Sequence, residues 1–344
     1  MMSRRDRESA RERLAALLAL ARGRKRALVV PHNDPDPDAI GAALGLAELL
    51  QRRADVSSTI AYSGILGRAE NKAMVEHLQI PLRPLHTVDC DRYDLVALVD
   101  TQPGHGNQPF SSDCRPRVVI DHHPLHPDTG QVAFWDVRSE YASTSTIVSW
   151  YLRDARVRLS PRLATALFYG IKTDTLGLSR PSHPDDARAY VFLQQRVDPE
   201  ALARIENASV SLAYFQALDD ALHRTHIYDV LVVARLGEMR YPDMAAEVAD
   251  FLRRLEHARI VLAVGRYGGD VIVSLRSPER GMRLDSLVQQ VIADDGSSGG
   301  HDFMAAGRVR ATLYGDPEDT EAEIVRRFSA VLGVDHLRGT ALLA

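Results

Sequence analysis

The stretch Arg117-Val118-Val119-Ile120-Asp121-His122-His123 joins a short, strongly β-prone run to an acid and two histidines. Strands that are buried on both faces of a parallel sheet have this continuous apolar pattern. Open α/β sheets carry their chemistry at the carboxyl ends of such strands. The stretch therefore predicts an α/β fold with a functional edge at Asp121.

Two similar stretches lie upstream. Ala27–Val30 leads into an acidic loop, His32-Asn33-Asp34-Pro35-Asp36-Pro37-Asp38, and Leu95–Val99 ends on Asp100. A further acid, Asp174, follows a predicted helix. Oxygen and imidazole ligands of this kind suit a pair of divalent metal ions. The expected ligands are His32, Asp36, Asp38, Asp100, His122 and Asp174.

Each of these residues also has an ordinary structural explanation. The acidic loop could be a solvated turn, because Asp and Pro favour turns. Asp100 could cap the next turn, and Asp174 alone would be read as a helix-end residue. Adjacent side chains of an extended chain point apart, so we expect His122 and His123 to have different roles, one at a metal and one facing the substrate. The combination of four stretches favours the metal site.

The order of predicted elements indicates two domains. Strand and helix alternate in residues 1–200, which predicts a mostly parallel, three-layer α/β domain. Residues 201–225 have helical periodicity and are interpreted as a linker, and residues 226–344 as a smaller α/β domain that binds substrate. Its expected strands are Ile227–Leu236, Ile260–Tyr267 and Asp270–Arg276, with a Gly268-Gly269 hairpin turn, and its expected helices are Met244–Leu255 and Arg283–Ala293.

A second group of candidate residues lies in this smaller domain. Arg276 ends a predicted strand and offers a planar fork for a phosphate, while Gly299 and Gly300 beside His301 would let backbone amides approach an anion. We expect residues 295–301 to form a flexible loop. The alternative to a binding role is that the glycines only form a turn. Candidate phosphate or sugar contacts with weaker support are Arg68 and Asn71.

Composition places the chain among ordinary globular proteins. Its 344 residues favour two domains, and its 45% hydrophobic and 26% charged residues are typical values. A formal net charge of −4 provides no general attraction to nucleic acid. Cys90 and Cys114 are the only cysteines, which argues against a disulfide framework and favours a reducing, cytoplasmic location.

The first residues imitate a signal peptide, because the apolar run Leu14–Leu20 follows a basic start. Acids interrupt the basic region, however, and the basic run Arg22–Arg26 stands where a small-residue cleavage site would be. We therefore expect an amphipathic first helix. No apolar run approaches the roughly 20 residues that cross a bilayer, so we expect no membrane contact.

The ordered motifs resemble those of the DHH family of phosphoesterases. The resemblance rests on the loop from His32 to Ala39, on Asp100, on Asp121-His122-His123 and on Asp174. Residues 226–344, with Leu275-Arg276-Ser277 and Gly299-Gly300-His301, resemble the substrate-binding domain associated with that family. Within the family, the chain is most similar to the oligoribonucleases (nano-RNases) that are also 3′-phosphoadenosine-5′-phosphate (pAp) phosphatases.

The resemblance implies a role for each residue. It implies two manganese ions, one held by His32, Asp36 and Asp100 and the other by Asp38, Asp100, His122 and Asp174. It also implies that His123 contacts the scissile phosphate and that Asp121 orients the neighbouring histidines. The family loop usually reads Gly-Gly-His-x-x-Ala-Ala-Gly, whereas three residues separate His301 from Ala305 here. That departure leaves the role of Ala306 and Gly307 open.

The resulting expectation is hydrolysis of short oligoribonucleotides to nucleoside monophosphates, and of pAp to AMP, by a hydroxide that two metal ions activate. The expected partners are short RNA and small phosphonucleotides, and a homodimer is left open. One alternative is a phosphodiesterase for linear or cyclic dinucleotides, and another is a pyrophosphatase or exopolyphosphatase. A nucleotide-binding module without activity is the alternative of a different class, and the complete set of ligands argues against it.

Overall fold

The computed structural model describes residues 4–104, 107–108, 114–180, 182–279, 281–301, 303–335 and 338–343. The chain divides into two compact units, Met1–Ala208 and Ser209–Ala344. Within the described segments, none of the helices combines the length and the apolar content that a bilayer span requires.

The amino-terminal unit is a parallel α/β unit, as the sequence predicts. Its helices are Arg4–Ala21 (α1), Pro37–Ala54 (α2), Ala69–His77 (α3), Thr144–Asp154 (α4), Pro161–Thr175 (α5), Pro184–Gln194 (α6) and Pro199–Glu206 (α7). Its strands are Arg26–Pro31 (β1), Ser57–Tyr62 (β2), Leu82–Pro84 (β3), Leu95–Val99 (β4), Val118–Asp121 (β5) and Phe134–Val137 (β6).

The strand order places the acidic loop and Asp100 side by side. All strands of this sheet are parallel, in the order β3-β2-β1-β4-β5-β6. The order reverses between β1 and β4, and ligands of open α/β sheets bind at such a switch point. The loop after β1 and the residue after β4 therefore meet at the edge where β5 delivers Asp121 and the two histidines.

The two faces of this sheet are covered differently. One face packs on residues from all seven helices, with Val29, Ala97 and Ile120 among the strand residues in that core. The opposite face, which includes Leu28 and Leu98, packs on 3-10 turns and loops. The third layer of the unit is therefore made of turns and loops in the described part of the chain.

One expectation from the cysteines is wrong. Cys90 and Cys114 form a disulfide, with their Cα atoms 5.9 Å apart. Both contribute to the core on the loop-covered face. The bridge joins two segments far apart in sequence, and spacing alone did not predict that pairing. A cytoplasmic location accordingly stays a prediction.

The second unit contains a mixed sheet. Its helices are Leu212–His223 (α8), Met244–Leu252 (α9), Leu284–Ile292 (α10) and Pro317–Leu332 (α11). Its strands are Thr225–Tyr228 (β7), Leu231–Glu238 (β8), Ile260–Tyr267 (β9), Asp270–Arg276 (β10), Gly296–His301 (β11), Met304–Arg310 (β12) and Thr340–Ala341 (β13). The sheet order is β11-β12-β10-β9-β8-β7-β13, and only β8 and β9 pair in parallel.

Two local expectations in this unit are wrong. The strand expected at Ile227–Leu236 is a hairpin of β7 and β8, since Asp229 has a φ of 55° and turns the chain. The glycine-rich segment expected to be a loop forms β11, which pairs with β12 from Gly296 to His301. Glycine weakens a strand, but each residue of β11 pairs with a residue of the adjacent β12. The hairpin at Gly268-Gly269 is confirmed.

We predict that Gly41→Ala destabilises the amino-terminal unit. A Cβ at this position of α2 would lie 2.7 Å from the carbonyl oxygen of Ala166 in α5, so one helix must move. Overpacking of this kind costs about 1–3 kcal/mol, more than the ~1 kcal/mol that Ala gains over Gly in a helix. Denaturant unfolding should show a lower free energy of unfolding. Gly130→Ala, where a Cβ meets no atom within 4 Å, is the matched control and should leave that free energy nearly unchanged.

Candidate metal centre

The six predicted ligands come together at the carboxyl edge of the parallel sheet. Among the described residues, three groups have ligand atoms within 4.8 Å of one another: His32 with Asp36 and Asp100, Asp38 with His122 and Asp174, and Asp100 with His122 and His123. The first group is the ligand set that the family resemblance implies for one ion. The second group is the set implied for the other ion, without Asp100, which the resemblance assigns to both ions. Sequence positions up to 142 residues apart thus form one cluster.

Asp100 connects the two groups. Its Oδ2 lies 3.6 Å from Nε2 of His32, whereas its Oδ1 lies 3.5 Å from Nε2 of His122. The side chain is almost fully buried, and the backbone has a φ of 61°, which is uncommon for a residue other than glycine. The backbone conformation thus turns the carboxylate to present one oxygen to each group.

Hydrogen bonds select the same nitrogen of both histidines as the ligand atom. Nδ1 of His32 donates to the carbonyl of Asn33 (2.7 Å), and Nδ1 of His122 donates to the carbonyl of Tyr141 (3.2 Å). Each ring therefore turns its Nε2 toward the carboxylates. Metal-ligating histidines commonly use such a contact to fix ring orientation and tautomer.

The amino terminus of α4 holds Asp38. Oδ1 accepts from the hydroxyl of Ser143 and the amide of Ser145, both at 2.8 Å, and Oδ2 accepts from the amide of Thr144 at 2.7 Å. The Thr144 hydroxyl also donates to Oδ1 of Asp100 at 2.7 Å. Helix amino termini favour anions. The sequence analysis missed these residues, although a serine such as Ser143 directly before a helix is an N-cap signal.

His123 differs from His122 in its contacts. Its Nδ1 donates to Oδ1 of Asp121 at 2.8 Å, and the other carboxylate oxygen accepts from the amide of Gln102 at 2.7 Å. Gln102 is fully buried and also donates to the carbonyl of Pro124. The side chain of Asp121 thus orients His123, and Gln102 holds Asp121. The sequence provided no signal for Gln102.

The electrostatics fit a cation site. Burial opposes protonation of His32, but the carboxylates of Asp36 and Asp100 outweigh it and raise the pKa of His32 to about 10. Burial and the nearby Asp38 carboxylate raise the pKa of Asp100 and of Asp174 well above the usual value. Buried carboxylates that repel one another, with imidazole nitrogens directed at them, form a donor set that divalent ions would neutralise.

The predicted residues of the second unit lie at the same end of three adjacent strands, β10, β12 and β11. Arg276 pairs in register with Met304, which pairs with His301, and Gly300 pairs with Ala305. The Arg276 side chain is buried, and its Nε donates to Asp250 at 2.7 Å. A Cβ on Gly299 would meet no atom within 4 Å, so the surface there is open. The side chain of His301 lies outside the described part of the structure.

The two candidates beside β2 have different surroundings. Asn71 is buried, and its side-chain amide donates to the carbonyl of Pro35 at 3.2 Å. This hydrogen bond stabilises the acidic loop. Arg68 precedes α3 as its N-cap residue and is partly exposed. A substrate contact of either residue stays a prediction.

Sequence comparison relates the chain to the DHH family and to individual proteins of two organisms. The model of the DHH family, N-terminal domain, matches residues 26–171. An uncharacterised protein of Methanocaldococcus jannaschii is 32% identical over 86% of this chain and 60% of its own length. The cyclic-di-AMP phosphodiesterase GdpP of Geobacillus thermodenitrificans is 28% identical over 95% of this chain and 51% of its own length.

A third relative matches a shorter part of the chain. The probable bifunctional oligoribonuclease and PAP phosphatase NrnA of Streptococcus mutans is 26% identical over 46% of this chain and 48% of its own length. The chain thus spans 60% of the first relative and about half of the second.

The solved structure of an exopolyphosphatase-related protein of Bacteroides fragilis has the same fold. The match includes 93% of this chain and 96% of the Bacteroides chain, with a TM-score of 0.74 and 15% identity.

We predict that the two adjacent histidines respond differently to substitution. His122→Ala should lower bound metal, because Nε2 of this residue faces two carboxylates. His123→Ala should keep the metal, because its Nδ1 is bonded to Asp121. Metal content of the purified variants, measured by elemental analysis, checks this, with a thermal unfolding curve as the control for folding. Equal loss of metal in both variants would contradict the division of roles.

A pH titration tests the contact between His123 and Asp121. Burial opposes protonation of His123, but the Asp121 carboxylate raises its pKa to about 9. In chelator-treated protein, the stabilisation from protonated His123 should be complete below its unfolded pKa of about 6.5 and should disappear as the pH rises through about 9. In Asp121→Asn, the NMR midpoint of the His123 ring should move down. His123→Ala identifies the signal, and an unchanged midpoint would show that Asp121 does not raise this pKa.

Proposed function

We propose that this chain, whose residues 26–171 match the DHH family, is a metal-dependent phosphoesterase that hydrolyses short oligoribonucleotides to nucleoside monophosphates. The observation that carries the proposal is the position of Asp100. One carboxylate with an oxygen toward each of two histidine-containing groups is the arrangement that a pair of divalent ions needs.

We propose that the cofactor is two divalent ions, with manganese as the metal. His32, Asp36 and Asp100 would hold one ion, and Asp38, Asp100, His122 and Asp174 would hold the other. Mixed carboxylate and imidazole donors accept manganese, whereas oxygen-only sites favour magnesium or calcium. When bound, such a pair activates water as the nucleophile and neutralises charge on the phosphate.

The chain's own residues supply the remaining steps. In the metal-free protein Asp121 raises the pKa of His123 to about 9, which favours the doubly protonated ring, and in that form its Nε2 can donate to a phosphate oxygen. The hydrogen bonds from α4 keep Asp38 in place, and those from Gln102 keep Asp121 in place. Preorganised donors of this kind lower the barrier because they need no reorganisation as charge develops.

The substrate class rests on the named relatives. NrnA, named as an oligoribonuclease and PAP phosphatase, supports the primary proposal, including hydrolysis of pAp to AMP. The similarity to GdpP extends over both units and favours a second candidate, a phosphodiesterase that acts on a cyclic or linear dinucleotide. Both candidates cleave a phosphate ester of a nucleotide and would use the same metal centre.

A substrate panel separates these candidates. Protein loaded with Mn²⁺ is incubated with pAp, a linear dinucleotide, an RNA 5-mer, cyclic di-AMP and pyrophosphate, and the products are resolved by chromatography. Nucleoside monophosphates from the 5-mer and the dinucleotide support the primary proposal. Turnover of cyclic di-AMP alone supports the second candidate, and turnover of pyrophosphate alone contradicts both.

We predict that Asp100→Ala reduces hydrolysis of the best substrate by more than about 100-fold, because both ions lose a shared ligand. Metal content should fall in parallel. Asp91→Ala, which removes an exposed carboxylate from the same unit, is the control and should retain both activity and metal. Near-normal turnover of Asp100→Ala with two ions still bound would contradict the two-ion proposal.

A further inference from the structure

One segment of the amino-terminal unit, Tyr141–Thr146, contacts two of the three residues of the Asp38 group, which consists of Asp38, His122 and Asp174. The carbonyl of its first residue accepts from Nδ1 of His122 at 3.2 Å. Two amides and one hydroxyl further along donate to the Asp38 carboxylate at 2.7 to 2.8 Å. The Thr144 hydroxyl donates to Oδ1 of Asp100, the oxygen on the side of His122. The position of this segment therefore decides where these side chains direct their ligand atoms.

The two residues that belong only to the other ligand group, His32 and Asp36, are held by their sequence neighbours. Nδ1 of His32 donates to the carbonyl of Asn33, and Oδ1 of Asp36 accepts from the amide of Ala39. By contrast, the hydroxyl that donates to Asp38 is 105 positions away in the sequence. The Asp38 group thus depends on a distant segment, and that segment must itself be held in place.

Asp186 holds the segment near both of its ends. It is the third residue of α6, and it is fully buried. Its Oδ2 accepts from the amide of Ala142 at 3.0 Å, and its Oδ1 accepts from the hydroxyl of Thr146 at 2.6 Å. Oδ2 also accepts from the amide of His183 at 2.8 Å, as part of the capping box of α6. One carboxylate therefore attaches the segment to the start of a separate helix.

Two further contacts attach the segment to the same end of α6. The hydroxyl of Tyr141 donates to Asp185 at 2.9 Å, and its ring stacks on His183 with the ring centroids 4.9 Å apart. Both contacts involve only the Tyr141 side chain. Asp186 differs because it bonds to a backbone amide, which lies between the residue that contacts His122 and the residues that contact Asp38.

We infer that Asp186 is a positioning residue of the metal centre, which holds the segment Tyr141–Thr146 so that His122 and Asp38 direct their ligand atoms at one ion. Residues that orient metal ligands from outside the ligand set affect metal affinity in this way. The role rests on the proposed metal-dependent function. Because His32 and Asp36 have local partners, loss of Asp186 should weaken the ion of the Asp38 group far more than the other ion.

Calorimetric titration of chelator-treated protein with Mn²⁺ tests this role. Asp186→Ala should weaken one of two sites by roughly 10- to 100-fold and leave the other nearly unchanged. Asp186→Asn should recover most of the affinity. Its carboxamide oxygen can accept from the amides of Ala142 and His183, and its NH2 group can donate to the Thr146 hydroxyl oxygen. An equal loss in both variants would show that the charge of Asp186 matters and not its hydrogen bonds, which would contradict the inference.

The matched control for folding is Asp198→Ala. Asp198 caps α7 in the same unit by accepting from the amides of Glu200 and Ala201, and it touches no part of the segment in the described structure. This variant should unfold at a lower temperature and keep both Mn²⁺ affinities. If Asp186→Ala does not fold, Thr146→Val replaces it, because valine has nearly the shape of threonine and removes only one of the three bonds. It should weaken the same site, and wild-type affinity would overturn the inference.

A double-mutant cycle identifies the site that Asp186 affects. In a His122→Ala background, the ion of the Asp38 group has already lost a ligand, so adding Asp186→Ala should cause little further loss of affinity. In an Asp36→Ala background, the full 10- to 100-fold loss, roughly, should remain. The opposite pattern would assign Asp186 to the other ion and contradict the inference.

A measurement without metal separates this inference from the proposed function. By NMR of the metal-free wild type, the Nδ1 proton of His122 should be protected from solvent exchange by its bond to the Tyr141 carbonyl. Asp186→Ala should lose that protection, and Asp198→Ala should retain it. If the wild type binds two Mn²⁺ ions but hydrolyses no phosphate ester, the proposed function is wrong and the titrations still decide the role of Asp186. Unchanged protection and unchanged Mn²⁺ affinity in Asp186→Ala would overturn the inference alone.

Discussion

The amino-terminal unit depends on how it accommodates four buried or partly buried carboxylates at one sheet edge. Asp36, Asp38, Asp100 and Asp174 converge where the strand order reverses, and their mutual repulsion raises the pKa of Asp100 and Asp174 beyond the effect of burial. Such a cluster is stable only if cations or donors offset the charge. The imidazoles directed at Asp100 and the amides directed at Asp38 meet part of that need, and bound divalent ions would meet the rest.

The supporting contacts explain why neighbouring residues of similar chemistry have different roles. Nδ1 of His122 donates to a backbone carbonyl, and Nε2 of the same ring faces Asp100 and Asp174. Nδ1 of His123 donates instead to Asp121. The difference comes from the alternation of side chains at the end of β5 together with partners on other elements. The Asp121 carboxylate raises the pKa of His123, whereas the carbonyl partner of His122 fixes that ring with its Nε2 toward the carboxylates.

In the second unit, hydrogen bonds within the protein limit what Arg276 can bind. Arg276 has the charge and motif of a phosphate ligand, but Asp250, Ser274 and its own strand use most of its donors. Charge alone therefore does not identify the residue that binds an anion, because the hydrogen bonds already made decide how much of that charge remains available.

The sequence by itself determined the fold class, the parallel strands and the six candidate ligands, because apolar runs that end in acids or histidines are local patterns with a direct physical meaning. It did not determine the partners of those residues. The support of Asp38 by Ser143, Thr144 and Ser145, of Asp121 by Gln102, and the Cys90–Cys114 bridge join segments distant in sequence. The strand β11 likewise forms from glycine-rich sequence with low β-propensity, because β12 pairs with it. Only the tertiary structure decided these features, since a hydrogen bond depends on where two groups meet in space and not on the residue types along the chain.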